Sequence, residues 1–161
     1  FNKDNKTNNP TVRIHSSCLT GDLMGSQKCD CGYQLETALN YMSKTKNMSI
    51  LIYLNQEGRG LGIHNKIISY NIQEKGWDTY QADNILGFSG DERDYKAAAE
   101  ILKFFKVKKL NLITNNPEKV DYLKKNKITV NKMIKIKPGV NPHNKKYLET
   151  KKIIGKHLLN L

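Results

Sequence analysis

Cysteine is scarce in this chain. There are three in 161 residues, all between positions 18 and 31. An odd, small number excludes a disulfide framework and predicts a reducing, cytoplasmic setting. The first ten residues are polar, so no signal peptide is expected there. No apolar run approaches the ~20 residues that a membrane span needs, so no membrane partner is expected. The chain opens on Phe1 rather than methionine and reads as a trimmed product. Acidic residues are few, 15 against 27 basic, for a net charge of +12. Arginine is rarer still, with only Arg13, Arg59 and Arg93. Most of the lysines fall in polar stretches without interleaved arginine or stacking aromatics. That pattern is a solvated surface more than a nucleic-acid footprint. The three arginines sit in polar, loop-like contexts and are better candidates for holding an anion.

The length suits one domain with its own core, and 38% of the residues are hydrophobic. Residues 1–11 read as loop or disorder, and 12–161 as one domain. Short apolar stretches over 12–15, 49–54, 109–114 and 128–136 predict strands. Helical spacing predicts helices from Gly32 (Leu35, Ala38, Leu39, Met42) and over 63–75, 94–105 and 147–159. Tyr95, Ala98, Ala99, Leu102 and Phe105 would share one face of the 94–105 helix. Gly76 is a helix stop, and Asn116-Pro117 a helix start. Strands alternating with helices predict a three-layer α/β/α fold around a mixed sheet.

The chemistry-bearing residues lie in the loops. Cys18, Cys29 and Cys31 are a thiolate set that favours zinc over hard cations. With His15 as fourth ligand the site would be closed and structural. With three ligands it would keep an open position for water, as catalytic zinc does. Spacing alone leaves both readings standing. Gln56-Glu57-Gly58-Arg59-Gly60 follows a strand and could bring backbone N–H groups to a phosphate; an ordinary turn fits as well. Asp91-Glu92-Arg93-Asp94 puts carboxylates around one arginine before a helix. Thr114-Asn-Asn-Pro117-Glu-Lys119 joins a strand to a helix N-terminus, where anions bind. His64, His143 and His157 show no metal spacing.

In this order, Arg13-Ile-His-Ser-Ser-Cys18-Leu-Thr-Gly-Asp22, Cys29-Asp-Cys31-Gly32, Gln56-Glu-Gly-Arg59, Asn65-Lys66, Asp91-Glu-Arg93-Asp94-Tyr95 and Thr114-Asn-Asn-Pro117 resemble GTP cyclohydrolase II, from about Val12 to Leu159. The resemblance implies a zinc hydrolase that opens the guanine imidazole ring of GTP in the first step of riboflavin biosynthesis. Formate and pyrophosphate leave, giving a diaminopyrimidinone ribosylamino 5′-phosphate. It implies one Zn²⁺ per chain on Cys18, Cys29 and Cys31, Mg²⁺ with the triphosphate, and a homodimer. Substrate contacts would come from Arg13, Ile14, His15, Ser16, Ser17, Gln34, Glu57, Gly58, Arg59, Thr79, Thr114 and Lys119. Asp91 would be the proton acceptor, Arg93 would act at the α-phosphate, and Tyr70 would stand near the reacting ring. His15 then belongs to the nucleotide site. Ser17 stands where the family pattern has glutamate, and Lys28 where arginine is common. The alternatives are a relative that stops at the formylated pyrimidine, or a basic zinc-stabilised nucleic-acid-binding module.

Overall fold

A computed structural model describes residues 9–89 and 91–161. Most of the expected N-terminal loop, and Gly90, fall outside these. The described residues hold four strands: β1 (Thr11–Ser16), β2 (Ser49–Leu54), β3 (Lys109–Ile113) and β4 (Thr129–Ile134). They also hold seven helices: α1 (Leu19–Asp22), α2 (Cys31–Lys44), α3 (Gly62–Glu74), α4 (Thr79–Ile85), α5 (Lys96–Phe104), α6 (Pro117–Lys125) and α7 (Lys145–Ile153). A 3₁₀ turn spans Glu57–Gly60.

The sheet order is β2-β1-β3-β4, and the sheet is parallel throughout. The expected mixed sheet is therefore incorrect. Each strand reaches the next through at least one helix, and such a crossover returns the chain to the end where it started. No tight hairpin connection is available to reverse a strand. Strand order changes direction between β1, which leads to β2 on one side, and β3 on the other. Ligands of parallel α/β sheets gather at the carboxyl ends of strands at such a switch point.

The chain forms two compact units, neither a contiguous stretch. The first takes the chain up to His15, Gln34–Leu54 and Asp94–Lys137, and it contains the sheet. One face buries Val12, Ile14, Ile52, Leu54, Leu110 and Leu112 against α5 and α6. The other buries Ile113 and Ile136 against Ala38 and Met42 of α2. Alternate strand residues thus feed helices on both faces, the three layers that the sequence predicts. On α5, Ala98, Ala99 and Leu102 are buried as expected, whereas Phe105 is 66% exposed. The helix ends at Phe104, and Lys106 turns left-handed at φ 55, so Phe105 leaves the helical register.

The second unit takes Ser16–Tyr33, Asn55–Arg93 and Pro138–Leu161. Here α3 packs on α4 and on the 3₁₀ turn. Helix α4 has no counterpart in the sequence reading. Its cap was nonetheless legible: the Asp78 carboxylate accepts from Tyr80 N at 2.8 Å and Gln81 N at 3.0 Å, and Gln81 Oε1 accepts from Asp78 N at 3.0 Å. That is capping-box spacing with aspartate in the serine position. Helix α7 stops at Ile153, short of the expected Leu159. No helix among the described residues is long and apolar enough to cross a membrane.

Candidate active site

The three cysteines belong to the second unit. Cys18 occupies the N-cap position of α1, Cys29 lies in the following loop, and Cys31 opens α2. Their sulfurs all lie within 4.8 Å of one another, with Cys18 and Cys29 at 3.7 Å. His15 is not part of this group, which is the only such cluster among the described residues. Glycine 21 makes the cluster possible: a Cβ there would meet Cys29 Sγ at 2.8 Å and Cys18 Sγ at 3.1 Å. Asp22 Oδ2 accepts from Cys18 N at 3.0 Å. Asn144, fully buried, donates to Gly139 O at 2.7 Å and to Cys29 O at 3.5 Å.

Three thiols this close compete for negative charge. The Cys18 thiol is held far below its ordinary value, first by bonds from Cys29 and Cys31 and then by Lys66. Cys29 is pushed up to about 11, chiefly by Cys18, and Cys31 rises well above the ordinary range for the same reason. One thiolate is supported at a time, because three negative sulfurs at this spacing repel. A soft divalent cation removes that conflict, and the all-sulfur donor set fits zinc.

Lys66 of α3, quoted from the sequence only within the Asn65-Lys66 motif and without a role, lies against the cysteine cluster. It is 8% exposed. Its ammonium donates to Cys18 Sγ at 3.0 Å, Thr20 Oγ1 at 2.7 Å and Glu57 Oε1 at 2.8 Å, which uses all three donors. Glu57 is occupied on both oxygens: Oε1 also accepts from Gly58 N at 2.9 Å, and Oε2 from Leu19 N. The Asn65-Lys66 pair following a glycine-rich turn was the available signal. Helical spacing turns position 66 back toward that turn. Tyr70, one turn further on, has its pKa raised by burial despite a bond with Thr20 and the charge of Lys66. It is a neutral phenol at working pH.

The 3₁₀ turn presents Arg59 in a left-handed conformation at φ 59, with Gly58 at 58 and Gly60 at 94. Its carbonyl accepts from Glu92 N at 2.9 Å. A Cβ at Gly60 would meet Glu92 Cβ at 2.9 Å, so glycine there permits the close approach of the two loops. Arg59 Nη2 pairs with Asp83 Oδ2 at 2.8 Å, and its guanidinium lies 4.3 Å from the Tyr80 ring centre. Asp91 and Arg93 form a two-point ion pair, Nε to Oδ1 at 2.8 Å and Nη2 to Oδ2. Burial would raise the Asp91 carboxyl, but the bonds and charge of Arg93 outweigh it and hold it below its ordinary value.

Ser16 Oγ donates to Gln56 Oε1 at 3.4 Å, and Ser17 Oγ accepts from Gln56 N at 3.1 Å. Lys28 pairs with Glu74 at 2.6 Å. A cleft of about 440 Å³ is lined by Lys28, Glu74, Trp77, Thr79, His143 and Lys146 among others, so Thr79 faces a basic, partly aromatic surface.

The remaining expected residues belong to the first unit, at the carboxyl ends of β1 and β3. Arg13, 5% exposed, donates to Ile113 O at 3.2 Å and to Gln34 Oε1 at 3.0 Å. Its Nη2 lies 3.3 Å from His15 Nδ1. A guanidinium only donates, so Nδ1 accepts and the imidazole proton sits on Nε2. His15 also stacks on Tyr53, centroids 5.4 Å apart. Lys119 Nζ, buried, donates to Ile14 O at 2.8 Å. Thr114 Oγ1 accepts from Asn116 N at 3.0 Å, and Asn116 caps α6 through Glu118 N at 2.9 Å. Arg13, Ile14, His15, Gln34 and Lys119 thus form one connected polar group, with Thr114 at the adjoining strand end.

Fold and site together define an α/β enzyme able to hold a metal ion on cysteine thiolates. The family model described as GTP cyclohydrolase II matches residues 2–135. GTP cyclohydrolase-2 of Helicobacter pylori (strain P12) is 50% identical over 156 residues, covering 96% of this chain and 79% of the relative. The protein of that name from Helicobacter acinonychis (strain Sheeba) is 51% identical over 152 residues, 94% and 77% of the two chains. That of Blochmanniella floridana is 47% identical over 153 residues, 94% and 76%. The chain belongs to the GTP cyclohydrolase II family, hydrolases that act on GTP in riboflavin biosynthesis.

Proposed function

We propose that this chain opens the imidazole ring of GTP, releasing formate and pyrophosphate, with one zinc ion on Cys18, Cys29 and Cys31 and Mg²⁺ carried by the substrate triphosphate. The observation that carries the reading is the convergence of three cysteine sulfurs within 4.8 Å in a chain of this family. Zinc bound there would supply Lewis acidity and a nucleophile drawn from water at neutral pH. The chain's own residues do the rest. Tyr70, a neutral phenol, can donate a hydrogen bond toward the reacting ring. Asp91, kept ionised by Arg93, can accept a proton. Arg93 can stabilise charge developing on the α-phosphate without becoming a nucleophile, because a guanidinium stays protonated at any working pH. His15 in its neutral form can donate from Nε2, and Lys28, Lys146 and Arg59 offer cationic partners to phosphate oxygens. We also read the active form as a cytoplasmic homodimer.

The test is stoichiometry. The reading expects one formate and one pyrophosphate per GTP. Pyrophosphate without formate, with the imidazole ring opened rather than GMP as the product, would mark a relative that stops at the formylated pyrimidine. Cys29→Ser should abolish formate release while leaving some conversion of GTP to GMP and pyrophosphate. Arg93→Ala should lose pyrophosphate release. If Cys29→Ser silences both activities while still folded and binding GTP, the division between the two centres is wrong.

A further inference from the structure

Asp83 lies on α4, is 2% exposed, and is not among the motif residues quoted above. It is the end point of a chain of hydrogen bonds running in one direction. Thr79 Oγ1 donates to Gln73 Oε1 at 3.4 Å, Gln73 Nε2 to Ser69 Oγ at 2.9 Å, and Ser69 Oγ to Asp83 Oδ1 at 2.9 Å. From the other side Arg59 Nη2 meets Asp83 Oδ2 at 2.8 Å. Thr79 and Arg59 are both expected substrate contacts, so the relay joins one to the other across α3 and α4. Each link of the relay requires the next atom to accept, and an ionised carboxylate both accepts from Ser69 and turns negative charge toward Arg59. An amide at position 83 would turn an N–H group toward either Ser69 or Arg59.

Arg59 needs such an anchor. Its backbone is left-handed at φ 59, a conformation that costs a non-glycine residue energy. Its long side chain loses rotamer freedom when it is fixed. Asp83 on one side and the Tyr80 ring on the other hold the guanidinium plane in a single orientation. Stacking on Tyr80 together with the ion pair to Asp83 favours arginine over lysine at this place.

We propose that Asp83 is a positioning residue for substrate binding: it aims the Arg59 guanidinium at GTP and, through Ser69 and Gln73, couples that aim to Thr79. This rests on reading Arg59 and Thr79 as substrate contacts. A pH signature accompanies it. Burial holds the Asp83 carboxyl above its ordinary value although Arg59 and Ser69 oppose the rise, and Asp91 and Asp78 add negative charge nearby. Protonation of Asp83 breaks the Arg59 pair, so GTP affinity falls as pH drops toward a pKa above the ordinary carboxylate range of about 4.

The experiment compares Asp83→Asn with the parent enzyme, zinc-loaded, by formate release and by equilibrium binding of GTP. KM and Kd should rise about tenfold or more while kcat changes by no more than about threefold, the pattern of lost binding rather than lost chemistry. The acid-side fall in affinity should disappear. A folded Asp83→Asn with parental KM, Kd and pH profile overturns the proposal. If that variant does not fold, Ser69→Ala decides, because it keeps the carboxylate and breaks only the relay. Its KM should rise a few-fold, about threefold by the loss of one hydrogen bond, and an unchanged KM overturns the proposal. A parent enzyme that binds GTP but releases no formate would instead refute the proposed reaction, and the binding comparison would still decide the role of Asp83.

Discussion

Lys66→Met isolates the buried ammonium at the cysteine cluster. The methionine keeps most of the aliphatic stem and removes one charge. Three acceptors lose their donor: Cys18 Sγ, Thr20 Oγ1 and Glu57 Oε1. The side chains of Lys66 and Glu57 are each 10% exposed, so water screens the pair little. Removing one partner of such a pair costs ~3–5 kcal/mol, because the other charge is left buried. Glu57 keeps the N–H groups of Leu19 and Gly58, and Thr20 can turn its hydroxyl. The lower end, about 3 kcal/mol, is therefore expected. At ~2–4 °C per kcal/mol for a chain of this size, the melting temperature should fall by roughly 6–12 °C. Calorimetry at saturating zinc is the assay. Glu57→Gln alone should also destabilise, and the Lys66→Met/Glu57→Gln pair should recover at least ~1 kcal/mol relative to the sum of the singles. A melting shift under 2 °C for Lys66→Met, or strict additivity in the cycle, would refute the claim that this pair supports the cluster.

Two other outcomes follow from the same geometry. Gly21→Ala places a methyl 2.8 Å from Cys29 Sγ. Zinc affinity, read by competition with a chelator, should drop about 10–100-fold, with about 1–3 kcal/mol lost from overpacking; retention of zinc at parental affinity would mean that the thiolates are not fixed where they are seen. Asp91→Asn tests linkage: the Asp91 pKa is depressed in the folded state, so its contribution is present above the unfolded value of ~3.9 and is lost as pH falls through the folded one. Urea titrations should show the variant about 1 kcal/mol less stable at pH 7, with the gap shrinking below pH 4, and a gap that widens between pH 5 and pH 3 would contradict the ion pair's role.

Local signals in the chain were sufficient for much of this architecture. Apolar runs marked all four strands, Asn116-Pro117 announced α6, and three cysteines within fourteen positions announced a soft-metal cluster, because side-chain period, capping and ligand softness depend on residues near one another in sequence. The parallel order of the sheet was not local. It depends on which crossover lies beside which strand, and periodicity within a strand says nothing about its neighbour. Helix α4 was missed although Asp78 and Gln81 carry its cap, since seven residues offer too little periodicity to stand out from a loop. The partners of His15 also came from the sheet: Arg13 on β1 meets its Nδ1, and Tyr53 on β2 stacks on its ring. Lys66 and Asp83 needed the fold most. Neither charge has an assigned role in the sequence reading, and only the packing of α3 and α4 with the glycine-rich turn buries them against partners 9 and 24 positions away. Burial turns these two ordinary charges into the supports of a site, and burial is a property of the tertiary structure alone.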